Sequence, residues 1–162
     1  MKRQLGAALL AFVLLISCKK DSDDTTATTS GWKLGTTSYT TAFATRINTG
    51  SGTTPGIALT AMDAIPTSSN TSSLNTFVAY FSTAPTANGT YRVVAYPGTL
   101  SATQVGIVAG GPNGTYASTG AGTVDATITV SGGKITIVVP PVTVKKTTSA
   151  EELTASGTIK EN

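Results

Sequence analysis

Thr123-Val124-Asp125-Ala126-Thr127-Ile128-Thr129-Val130-Ser131-Gly132-Gly133-Lys134-Ile135-Thr136-Ile137-Val138-Val139-Pro140-Pro141 decides the fold. Val124, Ala126, Ile128 and Val130 alternate with Thr123, Asp125, Thr127 and Thr129. A strand sends successive side chains to opposite faces, so this period of two describes a strand with one face buried. Ser131-Gly132-Gly133 supplies residues that accept positive φ, as a tight hairpin requires. Lys134 to Val139 follows, with Ile135, Ile137 and Val139 on one face. Pro140-Pro141 is expected to end this strand, because proline has no N–H for the ladder. Val142 and Val144 then begin another short strand, and Leu153, Ala155, Gly157 and Ile159 mark a last one.

Working outward, the earlier chain reads alike. Tyr39, Phe43 and Ile47 are expected on one face of a strand, and Ile57, Leu59 and Ala61 on one face of the next. Leu74 to Ser82 is apolar on both faces, which marks a central strand. Tyr91 to Tyr96 and Gln104 to Ala109 complete the set. No segment after residue 17 sustains a helical period over about 11 residues. Asn88-Gly89-Thr90-Tyr91 recurs as Asn113-Gly114-Thr115-Tyr116, each after a proline. This reads as two hairpin turns that use Asn-Gly for positive φ. The expectation is an all-β domain over residues 31–162, an antiparallel β-sandwich of about ten short strands. A closed lipocalin-like β-barrel is the alternative.

Composition removes most chemistry. The chain has no histidine and a single cysteine, Cys18. Beyond residue 30 the carboxylates are Asp63, Asp125, Glu151, Glu152 and Glu161. That set leaves little for metal binding or acid–base work, so no metal, no cofactor and no enzymatic activity is expected. A glycosidase needs two facing carboxylates, and Asp63 and Asp125 are the only such pair in strand-like contexts. Gly110-Gly111-Pro112-Asn113-Gly114 precedes a strand, so it offers no helix amino terminus to a phosphate. No Gly-x-Ser-x-Gly nucleophile elbow occurs. Lys145-Lys146 is the one basic pair of the domain and reads as an exposed loop. Without a basic stripe, nucleic-acid binding is not expected.

Two aromatic residues are candidate ligand contacts. Trp32, the single tryptophan, either stacks on a sugar ring or seals the core where the domain starts. Tyr96, with Tyr80, Tyr91 and Tyr116, either lines a groove or packs inward. A carrier with an apolar cavity would use Leu74, Phe77, Tyr80 and Phe81.

The amino end carries the clearest address. Met1-Lys2-Arg3-Gln4 is followed by an apolar run from Leu5 to Ile16, then Ser17 and Cys18. The run is too short for a membrane-spanning helix of roughly 20 residues, and the pattern is that of a secretory signal peptide over residues 1–17. Leu15-Ile16-Ser17-Cys18 resembles the lipobox of bacterial lipoproteins. The resemblance implies cleavage after Ser17, a diacylglyceryl group on the Cys18 sulfur and acylation of the new amino terminus. Loss of Lys2 and Arg3 with the leader takes the basic residues from eleven to nine against eight acidic ones, and the net charge from +3 to +1. With Cys18 acylated, no disulfide forms and stability rests on the core.

Lys19-Lys20-Asp21-Ser22-Asp23-Asp24 resembles the export signals that follow the lipid cysteine in surface lipoproteins of Bacteroidota, although Ser22 interrupts the acidic run. Asp24-Thr25-Thr26 fits the O-glycosylation pattern of that phylum, with Thr25 as acceptor. Residues 18–30 read as a flexible linker. Gly31-Trp32, Pro85 through Gly89-Thr90-Tyr91, and Ser156-Gly157-Thr158-Ile159 are similar to parts of small β-rich Bacteroidota surface lipoproteins, a resemblance that implies fold and location and carries no activity. The expectation is a non-catalytic lipoprotein of the outer membrane, anchored at Cys18 and displayed at the cell surface. Its role is binding or display, with a glycan or a protein as ligand. The alternatives are a structural or assembly lipoprotein on the periplasmic leaflet and a lipocalin-like small-molecule carrier.

Overall fold

The computed structural model describes residues 29–50 and 56–162. These residues hold eleven strands and no helix: β1 (Gly31–Leu34), β2 (Thr37–Thr40), β3 (Phe43–Asn48), β4 (Ile57–Met62), β5 (Thr76–Phe81), β6 (Gly89–Val94), β7 (Gln104–Gly111), β8 (Gly114–Ser118), β9 (Asp125–Ser131), β10 (Lys134–Lys146) and β11 (Glu152–Lys160). They form one sheet in the order β2-β1-β11-β10-β9-β6-β7-β5-β4-β3, and β8 bridges β10 and β7. Every pairing is antiparallel except β6 with β7. The fold is all-β, as the alternation predicts.

The sheet turns back on itself, so that β1 and β5, far apart in strand order, face each other: the rings of Trp32 and Phe77 lie 6.4 Å apart. One apolar cluster fills the space between the two halves, with Leu59, Phe77, Phe81, Ile107, Ile128, Ile135, Ile137, Val144 and Ile159 fully buried. The meander of a lipocalin does not occur. Instead β8 closes a hydrogen-bonded circuit of five strands, β10-β9-β6-β7-β8, within the larger sheet. The far edge is stitched separately. Asn162 N donates to Ala44 O, and Arg46 of β3 reaches Glu161 Oε1 at 3.1 Å and Gly133 O at 2.8 Å.

The β9–β10 hairpin forms as read. Ser131 pairs with Lys134 across Gly132-Gly133, whose φ angles are 58° and 78°, the two left-handed positions of a type I′ turn. The expected break at Pro140-Pro141 does not occur. β10 runs through both prolines as a single strand, and its register against β11 shifts between Val139 and Val142. Two residues oppose one there, so the bulge takes the missing N–H groups out of the ladder.

Two other expectations need correction. Tyr39 belongs to β2 while Phe43 and Ile47 belong to β3 and face outward, because Ala44 and Arg46 pair with the inward Ala61 and Leu59. Ile47 is accordingly 44% exposed. The second Asn-Gly-Thr-Tyr segment does form the β7–β8 hairpin, with Gly114 at φ 130°. The first does not form a hairpin: Gly89 opens β6, and Asn88 Oδ1 accepts from Val130 N. Tyr91 and Tyr116, the last residues of the two segments, both pack against the core.

Candidate functional site

Two concavities lie on the outside of the folded sheet, and their positions follow from strand register. On β5, Phe77, Ala79 and Phe81 point into the core, so Thr76, Val78 and Tyr80 point out. Tyr80 stands opposite Gly106 of β7. The chain leaving β6 places Tyr96 on that glycine: a Cβ at Gly106 would lie 2.6 Å from Tyr96 Cδ2. The missing side chain is what lets the tyrosine ring down onto the sheet. There it stacks on Tyr80, centroids 4.4 Å apart and planes 7° from parallel, an offset-stacked geometry that aromatic pairs favour. Burial, and then the neighbouring Tyr80, push the Tyr96 hydroxyl pKa above its ordinary value.

Tyr80 covers one side of the Tyr96 ring, and Tyr96 also lines a cleft of about 640 Å³. Its floor is Ala117 of β8, and Lys145 of β10 stands beyond it. Pro97, Thr119, Thr147 and Ser149 stand on the rim, and Ala95, Ser118 and Lys146 also contribute to the lining. The Tyr96–Pro97 peptide bond is cis. The position of Lys145 follows from an outward row that crosses the sheet through Val78, Val108, Ala117 and Lys145. Ser118, one residue from Ala117, points inward and fixes the cleft from beneath: its hydroxyl donates to Val94 O and accepts from Ile107 N at 3.1 Å.

Lys145 and Lys146 do not form the exposed loop expected from sequence. They end β10, and the period of two sends them to opposite sides. Lys146 is 3.2 Å from Glu151 Oε2 and lies over the Tyr116 ring. Tyr116 in turn donates its hydroxyl to Glu151 Oε1 at 2.7 Å. The hydrogen bonds from Tyr116 and then Lys146 hold the Glu151 carboxyl below its usual range, and the same carboxylate raises both partners. Lys145 is exposed and makes no ion pair among the described residues.

The second concavity is a trough of about 370 Å³ over β10, β11, β1 and β2. It centres on a row running Thr90, Thr127, Val138, Thr158, Gly31 and Thr40 across six strands. Gly31 leaves the dip, with Ser30, Lys33, Ser38 and Ser156 around it. Trp32 and Tyr39 also contribute to the lining, but Trp32 is buried and packs with Tyr39 toward the core.

Of the two aromatic candidates, the structure therefore separates rather than unites them. Trp32 is 2% exposed and stacks on Tyr39 at 5.2 Å within the core, so its ring is closed to a ligand. Tyr96 walls the cleft. Phe77 and Phe81 fill the core, and Tyr80 stands outside it beside Tyr96. Asp63 accepts from the backbone and side chain of Asn75, and Asp125 pairs with Arg92 across β6 and β9; each is engaged in its own contact. Ser131 and Lys134 stand at Ser-x-x-Lys spacing but flank an exposed hairpin turn, without the desolvation that activates a nucleophile. Among the described residues no group of three or more histidine, cysteine or carboxylate side chains gathers to hold a metal, and no helix is long and apolar enough to cross a membrane. Cys18, Lys19, Lys20, Asp21, Ser22, Asp23, Asp24 and Thr25 lie outside the described residues. What the sequence reading missed is Lys145: its signal was its place two residues after Thr143 and three after Val142, on the outward phase of an alternating strand. No protein family model matches the chain, and no curated protein or solved structure is similar to it.

Proposed function

We propose that this chain is a non-catalytic binding or display lipoprotein of the outer membrane, held at the cell surface by lipid on Cys18, with a glycan or protein ligand docking at the Tyr96 cleft. The observation that carries the binding half is the Tyr80–Tyr96 stack beside an open cleft: an aromatic ring with one face covered that also lines the cleft. Such a ring costs little entropy to use, because Tyr80 and the side-chain-free surface of Gly106 already hold it in place. The tethering half rests on Leu15-Ile16-Ser17-Cys18 and the charged tract after it. A linker of about a dozen polar residues between Cys18 and β1 suffices to hold the domain clear of a bilayer.

The test is fractionation of cells producing the chain with and without Cys18→Ser. The unaltered protein should partition with the outer membrane and be digested by protease added to intact cells. The Cys18→Ser protein should lose its lipid, leave the membrane fraction and remain folded. Membrane retention of that variant would remove the lipid anchor from the proposal. Protection of the unaltered protein in intact cells would remove surface display and favour the periplasmic leaflet.

A further inference from the structure

We propose that the Tyr96 cleft takes a saccharide unit bearing a carboxylate, with the sugar ring against Tyr96 and the carboxylate at Lys145. This rests on the binding function proposed above and specifies its ligand.

The cleft is asymmetric, and the asymmetry selects the ligand. Its apolar lining includes the Tyr96 ring, Pro97 and Ala117, the last 7% exposed. Thr119, Thr147 and Ser149 add hydroxyls, and Lys145 lines the same cleft as the ring. A ligand that satisfies all of these surfaces needs one apolar face, an edge of hydroxyls and a negative charge. A pyranose offers a C–H face to an aromatic ring while its hydroxyls project around the edge, and an acidic sugar carries its carboxylate on that edge. A flat aromatic anion would use the ring and Lys145 but not the spare capacity of the rim hydroxyls, and an apolar chain would use neither the hydroxyls nor the lysine. The volume of about 640 Å³ lies within the range of small-molecule sites.

The rim has capacity to spare. A hydroxyl offers one donor and two acceptor positions. Thr147 Oγ1 donates to Thr115 O, which leaves it accepting sites. Thr119 Oγ1 donates to Thr143 O and accepts from Ala121 N, which leaves one. Ser149 Oγ accepts from Glu151 N, which leaves its proton free to donate. Sugar hydroxyls both donate and accept, and this rim offers both.

The charge is divided just as sharply. Lys146 also lines the cleft but is committed to Glu151 and Tyr116. Lys145 is not committed: its cross-strand neighbour on the same outward side is Glu152, and no ion pair joins them. A ligand carboxylate is the partner that completes this lysine, in a charge-assisted contact.

The full chain purified in detergent is titrated calorimetrically with oligomers of galacturonate, glucuronate, mannuronate and guluronate, each beside its carboxyl-reduced neutral counterpart. At least one acid oligomer should bind about tenfold or more tightly than its neutral form, as a charge-assisted hydrogen bond to an exposed lysine supplies. The preference should shrink as salt is added. Lys145→Ala should abolish the preference while leaving neutral binding, Lys145→Arg should keep it, and Tyr96→Ala should weaken both forms. Circular dichroism confirms that each variant is folded. Equal, Tyr96-dependent binding of acid and neutral forms would overturn the carboxylate inference and leave the binding function standing. Binding by no member of the panel would overturn the inference together with the glycan half of that function.

Discussion

The two outward faces of this sheet are built from the same fold and read as opposites. Across β6, β9, β10, β11, β1 and β2 the outward row is Thr90, Thr127, Val138, Thr158, Gly31 and Thr40. Across β3, β4, β5 and β7 it is Ile47, Ala58, Tyr80 and Gly106, capped by Tyr96. The first row is rich in threonine, and its one large apolar member, Val138, is 41% exposed. The second is apolar and self-covering: Val78 on the same side is only 8% exposed, because Tyr80, Val108 and their neighbours shield one another. A sheet needs one buried face to fold. This protein has added a second apolar surface to one half alone, and the aromatic cleft lies at its margin.

The largest expected effect tests whether the two halves share one core at all. Phe77→Ala removes a fully buried ring that touches Trp32 from the opposite half, and should destabilise by about 3–5 kcal/mol in denaturant melts. Amide exchange should rise together in β4–β5 and in β10–β11. Loss confined to β4–β5 would show two cores where we describe one. Gly157→Ala comes next. Its Cβ would lie 2.7 Å from Trp32 Cβ and 2.8 Å from Gly31 O, backbone-bound atoms that cannot swing aside, and the cost should be about 1–3 kcal/mol. Gly106→Ala meets a tyrosine ring instead. It should spare most of the stability but displace Tyr96, which tyrosine ring shifts in NMR will register.

A smaller effect compares the faces directly. Val78→Thr should cost about 1–2 kcal/mol, since the new hydroxyl enters a covered surface. Val138→Thr should stay within about 0.5 kcal/mol, like other exposed substitutions. Equal costs, read from paired thermal melts, would erase the distinction between the faces. The smallest effect is a pH dependence at the end of β10. Glu151 is held below its ordinary range, so its contribution is present above the unfolded carboxylate value and is lost as pH falls through the folded one. Tyr116 and Lys146 are raised, so their contributions are present below their ordinary values and are lost as alkaline pH rises through the folded ones. The melting difference between the unaltered protein and Glu151→Gln should therefore be widest near neutrality and narrow in acid; a difference constant across that range would remove the ionic contribution.

The strands were legible wherever alternation was clean. β9, the Gly132-Gly133 turn and β11 follow from local periodicity alone, and β5 declares its central place by being apolar on both sides. β10 was cut in two because proline is a reliable breaker unless a bulge removes its ladder position, and a bulge depends on the partner strand. β3 was assigned the wrong face because its inward residues are Ala44 and Arg46, small and charged, while its outward Phe43 and Ile47 belong to the second apolar surface. The parallel β6–β7 pair and the cross-linking β8 are non-local, and nothing in a strand's own residues names a distant partner. Tyr96 was identified as a contact, but its perch on Gly106 and its companion Tyr80 come from register. Lys145 was passed over because two adjacent lysines look like a solvated loop until a strand divides them.

The pairing of β1 with β11 joins the first strand of the fold to its last. Gly31 finds Thr158 as its partner, so the first strand waits for the last. Until Ile159 is available, β1 has only the short hairpin with β2, and an isolated two-stranded hairpin is marginal in water. Contacts of such sequence separation slow folding and leave strand edges open meanwhile. In a chain wired in this way β3, β4 and β5 find partners in one another, whereas β1 gains its second partner only when the carboxyl end arrives.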